Sequence, residues 1–298
     1  MTLVISIYIF IVLGFSAKHI FKERLDASSI NLLSVYFLQP ILTLWGLLGR
    51  DINTDHLSAP FFYLAIISIS ALISFIVAKI FLNDQKERSI ASIAALIGNT
   101  GNLGIPLGIA LFGEVSIPYT TLINLANVFV VYTFGVYFYS RGSFNTKESL
   151  MQIVKLPTIW FAIFALILNF LEIKLLPEIK QVLMMGAYAS MVIQLILFGI
   201  YIRNVKLNEL NLKLLTVVTA IKFLLIPILT FALLQLSSAS EIYKSVLFME
   251  LFMPLAVANV NLSALYECRP TDVTALVLIT SIMFLGLFLL VPKIIVLL

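Results

Sequence analysis

The residues best suited to binding chemistry lie in two apolar stretches, one in each half of the chain. Residues 98–106 read GNTGNLGIP, and seven of these nine are poor helix formers. Their summed propensities disfavour a continuous helix by about 7 kcal/mol. The second stretch carries Pro254, then Asn259 and Asn261, with Glu250 one helical turn before the proline. The first pattern predicts a helix that is interrupted inside an apolar segment. The second, by its proline alone, would indicate an ordinary kink, but its correspondence to the first in the repeat described below favours an interruption there too.

An interrupted helix offers an anion the backbone N–H groups of its new amino end, which carries about half a positive charge. Carboxamide side chains can donate to a carboxylate without adding a full charge. The predicted substrate-contacting residues of the two stretches are Asn99, Thr100, Asn102, Pro106, Pro254, Asn259 and Asn261. The alternative is that the asparagines only cap the helix breaks, and that Gly104 and Gly108 form a packing face in a kinked helix.

Further polar residues lie inside other apolar segments. Asn127 is a candidate for the same cavity, although interhelical hydrogen bonds explain it equally well. Gln39, next to Pro40, is a further cavity candidate. Lys222 is a cation at membrane depth, where it costs about 2.5–3.5 kcal/mol. It either forms a structural pair with Glu250, or attracts an anion while Glu250 binds a coupling proton or sodium ion.

Composition indicates the kind of protein that positions these residues. Of 298 residues, 61% are apolar and 11% are charged, against roughly 25% charged in soluble proteins. This excludes an ordinary soluble enzyme and favours a polytopic membrane protein. A single cysteine, Cys268, excludes an internal disulfide and a cysteine metal cluster. We expect no nucleic-acid partner, because Lys and Arg fall in small groups between apolar runs and not along one stripe. We expect no cofactor and no enzymatic activity, because the sequence lacks catalytic pairs and metal motifs at membrane depth.

Apolar runs between charged or Gly/Pro-rich joints predict an all-α protein with ten membrane-spanning helices. These spans lie near residues 2–17, 29–48, 59–82, 89–112, 118–139, 150–171, 180–202, 212–236, 242–265 and 271–297. Loops after the odd-numbered spans hold thirteen Lys and Arg residues, and the opposite side holds five. The positive-inside rule therefore predicts a plasma membrane (bacterial inner membrane) protein. Both of its termini should lie outside the cytoplasm, and the loop that carries Cys268 should face the cytoplasm.

The spacing of the two interruptions suggests an internal duplication. Pro106 in span 4 and Pro254 in span 9 are separated by about half the chain. A five-helix unit has an odd number of spans, so its second copy enters the membrane from the opposite side. We therefore predict a 5+5 inverted repeat: residues 1–141, a cytoplasmic link 142–149, and residues 150–298.

These motifs resemble the auxin efflux carrier family. The resemblance rests on GNTGNLGIPLGIALFGE in span 4, MPLAVANVNLSALYE in span 9, and the opening IVLGFSAKHIFKERLDASSINLLSVYFLQPILTL with Pro40. It covers essentially the whole chain. The link between the halves is short, as in compact microbial members, whereas plant members usually carry a long hydrophilic insertion there.

The resemblance implies a fold shared with bile-acid and sodium/proton exchanger relatives, with a scaffold and a mobile transport domain that are each built from both repeats. It implies that spans 4 and 9 cross at Pro106 and Pro254 beside the substrate, and that transport is elevator-like. The expected substrate is a small organic anion, such as a dicarboxylate. A receptor that binds the anion without transport, a sodium- or proton-coupled symporter of the bile-acid type, and a homodimeric assembly remain open alternatives.

Overall fold

The computed structural model describes residues 2–48, 50–140, 153–173, 175–203 and 211–296, together with Lys147 and Met151. The predicted link 142–149 lies outside the described residues, apart from Lys147. The described chain is helical and contains no strand, but one isolated antiparallel bridge joins Gly98 and Leu255. The predicted all-α class is therefore confirmed.

Thirteen helices are numbered here in chain order. They are α1 (Thr2–Phe21), α2 (Ala27–Leu47), α3 (Thr54–Phe81), α4 (Gln85–Ile93), α5 (Thr100–Phe112), α6 (Glu114–Tyr139), α7 (Pro157–Phe170), α8 (Pro177–Arg203), α9 (Leu212–Gln235), α10 (Glu241–Phe252), α11 (Ala258–Leu265), α12 (Pro270–Leu287) and α13 (Val291–Ile295).

Six of these helices are long and apolar enough to cross a membrane: α2, α3, α6, α8, α9 and α12. Helices α5 and α7 are apolar but shorter. The sequence predicts span 4 where α4 and α5 follow one another, and span 9 where α10 and α11 do. Both regions are interrupted, as predicted, while the count of ten spans stays a prediction.

Three prolines explain irregular turns within the long helices. A proline has no N–H to donate, and its ring clashes with the carbonyl four residues earlier. The chain relieves this by widening the preceding turn into a π-helical one. Such turns end two residues before Pro40, Pro106 and Pro227, at Ser34–Leu38, Thr100–Gly104 and Ile221–Leu225. Prolines visible in the sequence thereby widen the turns that carry several of the polar candidates.

The helices pack as two groups. In the first group, α1 packs along α8, and α2 packs against α7 and α8. The second group comprises α3–α6 and α9–α12, most of which pack around the larger buried apolar core. Helix α5 also packs against α1 and α8, through a second apolar cluster that includes Leu103, Leu107 and Phe198. The backbones of α1 and α8 are in direct contact at Gly14 and Gly199. A side chain larger than that of glycine would not fit there, because a Cβ atom at either position would overlap main-chain atoms of the other helix.

A charged cluster ties together the loops at one end of the second group. The Arg269 guanidinium lies 3.0 Å from Glu87, 3.1 Å from Asp272 and 3.5 Å from Asp84. The Glu87 backbone N–H donates to Asp84 at 3.0 Å. This hydrogen bond, helped by the charge of Arg269, lowers the pKa of Asp84 below its ordinary value. Cys268 lies in the loop between α11 and α12, as predicted, but its side chain is fully buried and therefore is not accessible there.

Candidate functional site

The two interrupted segments meet through their backbones. The Asn99 N–H donates to the Pro254 carbonyl at 2.8 Å, and the Ala256 N–H donates to the Ile97 carbonyl at 2.9 Å. These bonds flank the bridge between Gly98 and Leu255. They satisfy polar groups that neither helix uses, which is the condition for irregular backbone inside a membrane protein.

The crossing point differs in one detail from the expectation drawn from the resemblance. Pro254 lies at the crossing, but Pro106 does not. Pro106 is buried within α5, beyond the wide turn Thr100–Gly104. It shapes that turn through its ring and its missing N–H, whereas the backbone bridge itself joins Gly98 and Leu255.

A cavity of about 280 Å³ lies beside the crossing. Seven carboxamide side chains line it, and none of its described lining residues is charged. The polar lining residues are Asn31, Tyr36, Gln39, Asn99, Asn102, Asn124, Asn127, Tyr132, Thr158 and Asn261. The cavity therefore offers many hydrogen-bond donors in a neutral wall.

The amino ends of two helices reach this cavity. Asn99, Gly101 and Asn102 line it where α5 begins, and Val257 and Ala258 line it where α11 begins. The first N–H groups of a helix have no partner within that helix and carry partial positive charge. Two positive helix ends thus converge on one neutral pocket.

The side-chain amide of Asn99 is a further hydrogen-bond donor in the cavity, and no described residue accepts from it. Its side chain is only 3% exposed and its Nδ2 group has no hydrogen-bond partner among the described residues. An unpaired buried amide costs about 1–3 kcal/mol. Because Asn99 lines the cavity, a bound acceptor is a natural partner for this group.

The structure brings together five of the nine predicted substrate-contacting residues. Those that line the cavity are Gln39, Asn99, Asn102, Asn127 and Asn261. Gln39 and Asn102 face each other across α2 and α5, with 3.5 Å between Nε2 and Oδ1. The other four lie outside the described lining: Thr100, Pro106, Pro254 and Asn259.

Asn259 braces the crossing from the side away from the cavity. Its Nδ2 donates to the Ile97 carbonyl at 3.1 Å and to the Ala256 carbonyl at 3.0 Å. Its Oδ1 accepts from the Tyr139 hydroxyl at 3.0 Å. Every polar atom of this fully buried carboxamide is therefore occupied by the protein.

Asn127 and Thr100 are also held by neighbouring residues. The Asn127 Nδ2 donates to the Gly98 carbonyl at 2.8 Å, while its Oδ1 accepts from Tyr63 at 3.0 Å. Thr100 donates to the Asn124 Oδ1 at 2.9 Å. These bonds fix α6 against the first interruption.

Five polar lining residues lie outside the nine candidates: Asn31, Tyr36, Asn124, Tyr132 and Thr158. Asn31 could have been predicted from the sequence, because it lies eight residues before Gln39 and therefore lies on the same face of the helix. Tyr36 lies in a wide turn that precedes a proline. Thr158 lies at the start of α7, and no spacing pattern in the sequence connects it to the other cavity residues.

Lys222 and Glu250 are both buried beside the crossing. The Lys222 Nζ donates to the Leu251 carbonyl at 3.2 Å, near the carboxyl end of α10, where a cation is favourable. Neither carboxylate oxygen of Glu250 accepts a hydrogen bond from a described residue. Glu250 instead packs against Gly104, where a Cβ atom would overlap its carboxylate. A hydrogen-bonded Lys222–Glu250 pair is therefore absent between the described atoms.

Comparison with known proteins agrees with this architecture. A family model described as membrane transport protein matches residues 1–153, just over half of the chain. An uncharacterized transporter of Methanocaldococcus jannaschii is 25% identical over 295 residues, covering 94% of each chain. These matches confirm the resemblance drawn from the motifs. The chain belongs to the membrane transport protein family, of the auxin efflux carrier type.

Proposed function

We propose that this protein is a secondary active transporter that carries a small organic anion through the cavity beside Gly98 and Leu255. The observation that carries the proposal is the meeting of two helix amino ends and the unpartnered Asn99 amide in one uncharged pocket. Positive helix ends and amide donors favour an oxyanion.

The size and lining of the cavity favour a dicarboxylate. Its volume of about 280 Å³ lies just below the usual range for drug-sized ligands, roughly 300–1,000 Å³. Two converging helix ends suit two carboxylate groups on one short molecule. We infer that Asn99 and Asn102 bind one group near α5, and that Asn261 binds the other near α11.

The packing of the helices supports an elevator-type movement. Asn31, Tyr36, Gln39 and Thr158 reach the cavity from the first group of helices, and the remaining polar lining comes from the second group. A substrate held by the second group can then travel with it against the first, which acts as a scaffold built from both repeats. The shared cavity wall between the groups would break and re-form during this movement.

The membrane topology forms part of the same proposal. The excess of basic residues on one side predicts an inner-membrane protein with ten spans in a 5+5 inverted repeat and both termini outside the cytoplasm. In this arrangement the two interrupted segments enter the crossing from opposite sides. Their amino ends therefore face one another across the substrate.

Glu250 is the candidate coupling group. A carboxylate buried without a hydrogen-bond partner is costly, and a proton or a sodium ion neutralises it. Its contact with Gly104 places the carboxyl group against the wide turn that carries Asn102. Loading Glu250 therefore connects ion binding to the geometry of the substrate cavity.

Flux measurements test the proposal. Purified protein in liposomes should take up one or more radiolabelled dicarboxylates, and Asn99→Ala should abolish this uptake without unfolding the protein. Saturable binding without any flux would favour a receptor. Failure of every carboxylate in the panel both to bind and to cross the membrane would contradict the proposal.

The coupling role of Glu250 has a separate test. Glu250→Gln keeps the shape of the side chain, so it should fold and exchange substrate, yet lose stimulation by a proton or sodium gradient. Lys222→Met and the double variant serve as controls for a structural pair. A Glu250→Gln protein with full gradient stimulation would exclude Glu250 as the coupling group.

A further inference from the structure

A second pocket, separate from the crossing, lies where the end of α2 meets the start of α6 and the start of α8. Its volume is about 210 Å³. It is lined by Trp45, Leu48, Arg50, Glu114, Leu175, Lys180, Leu183 and Met184. The wall thus combines two cationic side chains and one carboxylate with an aromatic and aliphatic surface.

Arg50 is incompletely paired in this pocket. Its guanidinium lies 3.4 Å from the Glu114 carboxylate and 3.5 Å from the Glu114 backbone carbonyl, both longer than the 2.7–2.9 Å of a strong charge-assisted hydrogen bond. Its buried Nε has no hydrogen-bond partner among the described residues. The guanidinium carbon lies 5.0 Å from the centre of the Trp45 ring. The planar Arg50 guanidinium therefore lies over the Trp45 ring and retains N–H groups that can donate to a ligand.

Lys180 adds a second positive charge to the pocket wall. It has no ion-pair partner within the described part of the chain. Glu114 is 64% exposed at its side chain and neutralises only one of the two cations. The pocket therefore carries a net positive charge beside an apolar surface of Leu175, Leu183 and Met184.

We propose that this pocket binds a small oxyanion that carries an apolar group, at a site distinct from the transport cavity. The oxyanion accepts from Arg50 and Lys180, and its apolar part lies against Leu183, Met184 and the Trp45 ring. A carboxylate or a phosphate meets the requirement. The ligand is either a free organic acid or the headgroup of an anionic lipid, since both combine an oxyanion with an apolar portion.

Glu114 competes with this ligand for Arg50. The Arg50–Glu114 contact joins the segment that follows α2, in the first group of helices, to the start of α6, in the second group. A bound oxyanion replaces Glu114 as the partner of the guanidinium. Occupancy of the pocket therefore releases one contact between the two helix groups.

Trp45 supplies a built-in reporter for the test. The chain has two tryptophans, so Trp160→Phe leaves Trp45, beside Arg50, as the single tryptophan, which is excited selectively over tyrosine. In one arm, hexanoate is titrated into this variant in phosphatidylcholine nanodiscs. In the other, hexanoate is omitted and the phosphatidylglycerol content of the nanodiscs is raised. A saturable change in the first arm identifies a free anion, and in the second arm a lipid headgroup.

Three substitutions in the Trp160→Phe background decide whether the response comes from this pocket. Arg50→Gln should weaken it about tenfold or more, because charge-assisted hydrogen bonds are lost. Lys180→Gln should weaken it to a smaller extent. Glu114→Gln should tighten it, because the competing carboxylate is gone. The matched control Lys293→Gln and the transport-cavity variant Asn99→Ala should leave it unchanged.

The proposal is overturned if neither arm gives a saturable change, or if Arg50→Gln responds like the parent. It is equally overturned if Glu114→Gln fails to tighten binding, which keeps the test decisive should Arg50→Gln not fold. None of these results depends on the transport cavity, so failure here leaves the proposed transport function standing.

Discussion

Asn259 and Asn261 are two residues apart on α11, yet the structure gives them opposite tasks. Asn259 is fully buried and makes three hydrogen bonds that hold the crossing together. Asn261 is exposed to the cavity. Substituting each by alanine therefore separates the stability of the crossing from binding at the cavity.

The size of the effect at Asn259 follows from its three bonds. Hydrogen bonds inside membrane proteins contribute roughly 0.6 kcal/mol each, and those in soluble proteins about 1 kcal/mol. Asn259→Ala should thus lower the free energy of unfolding by about 2–3 kcal/mol. At about 2–4 °C per kcal/mol, the melting temperature should fall by about 4–12 °C.

Thermal melting in detergent, followed by intrinsic fluorescence, measures this loss, and flux in liposomes measures function. Asn261→Ala is the matched control, and should melt within about 1 °C of wild type while losing substrate flux, because exposed substitutions have small effects on stability. The reasoning is refuted if Asn259→Ala melts like wild type, or if Asn261→Ala is destabilised as strongly as Asn259→Ala.

Further predictions concern packing, topology and pH. Gly104→Ala should lower the melting temperature and impair flux, because its Cβ atom would overlap the Glu250 carboxylate; normal melting and flux would contradict that contact. In a cysteine-free background, an impermeant maleimide should label Ser238→Cys from outside the cell and Glu23→Cys only in inside-out vesicles; the reverse pattern would invert the topology. The lowered pKa of Asp84 contributes stability above its unfolded pKa of about 3.9, so below about pH 4 wild type should lose melting temperature more steeply than Asp84→Asn; parallel pH profiles would argue against this contribution.

Local signals in the sequence were sufficient to predict the interrupted segments. Poor helix formers at 98–106 disfavour a regular helix whatever surrounds them, and a proline disrupts its own helix through local sterics. These effects act within one turn of the chain. Tertiary contacts are not needed to anticipate the breaks, and the structure has them in the predicted regions.

The pairing of Gly98 with Leu255 and the tasks of individual polar residues were not predictable in this way. Asn259 and Asn261 point to different sides of α11 because successive residues rotate by about 100°. A single sequence indicates that both are polar, but not which side faces the cavity. Lys222 illustrates the same limit: hydropathy gives its depth in an apolar segment, while its bond to Leu251 depends on how α9 and α10 pack.

A density map of the protein with its best-transported dicarboxylate bound tests the central claim most directly. We predict ligand density in the cavity beside Gly98 and Leu255, with one carboxylate within hydrogen-bond distance of the Asn99 Nδ2 and the other near the amino end of α11. Density for the substrate elsewhere, with this cavity empty and Asn99 still unpartnered, would contradict the account.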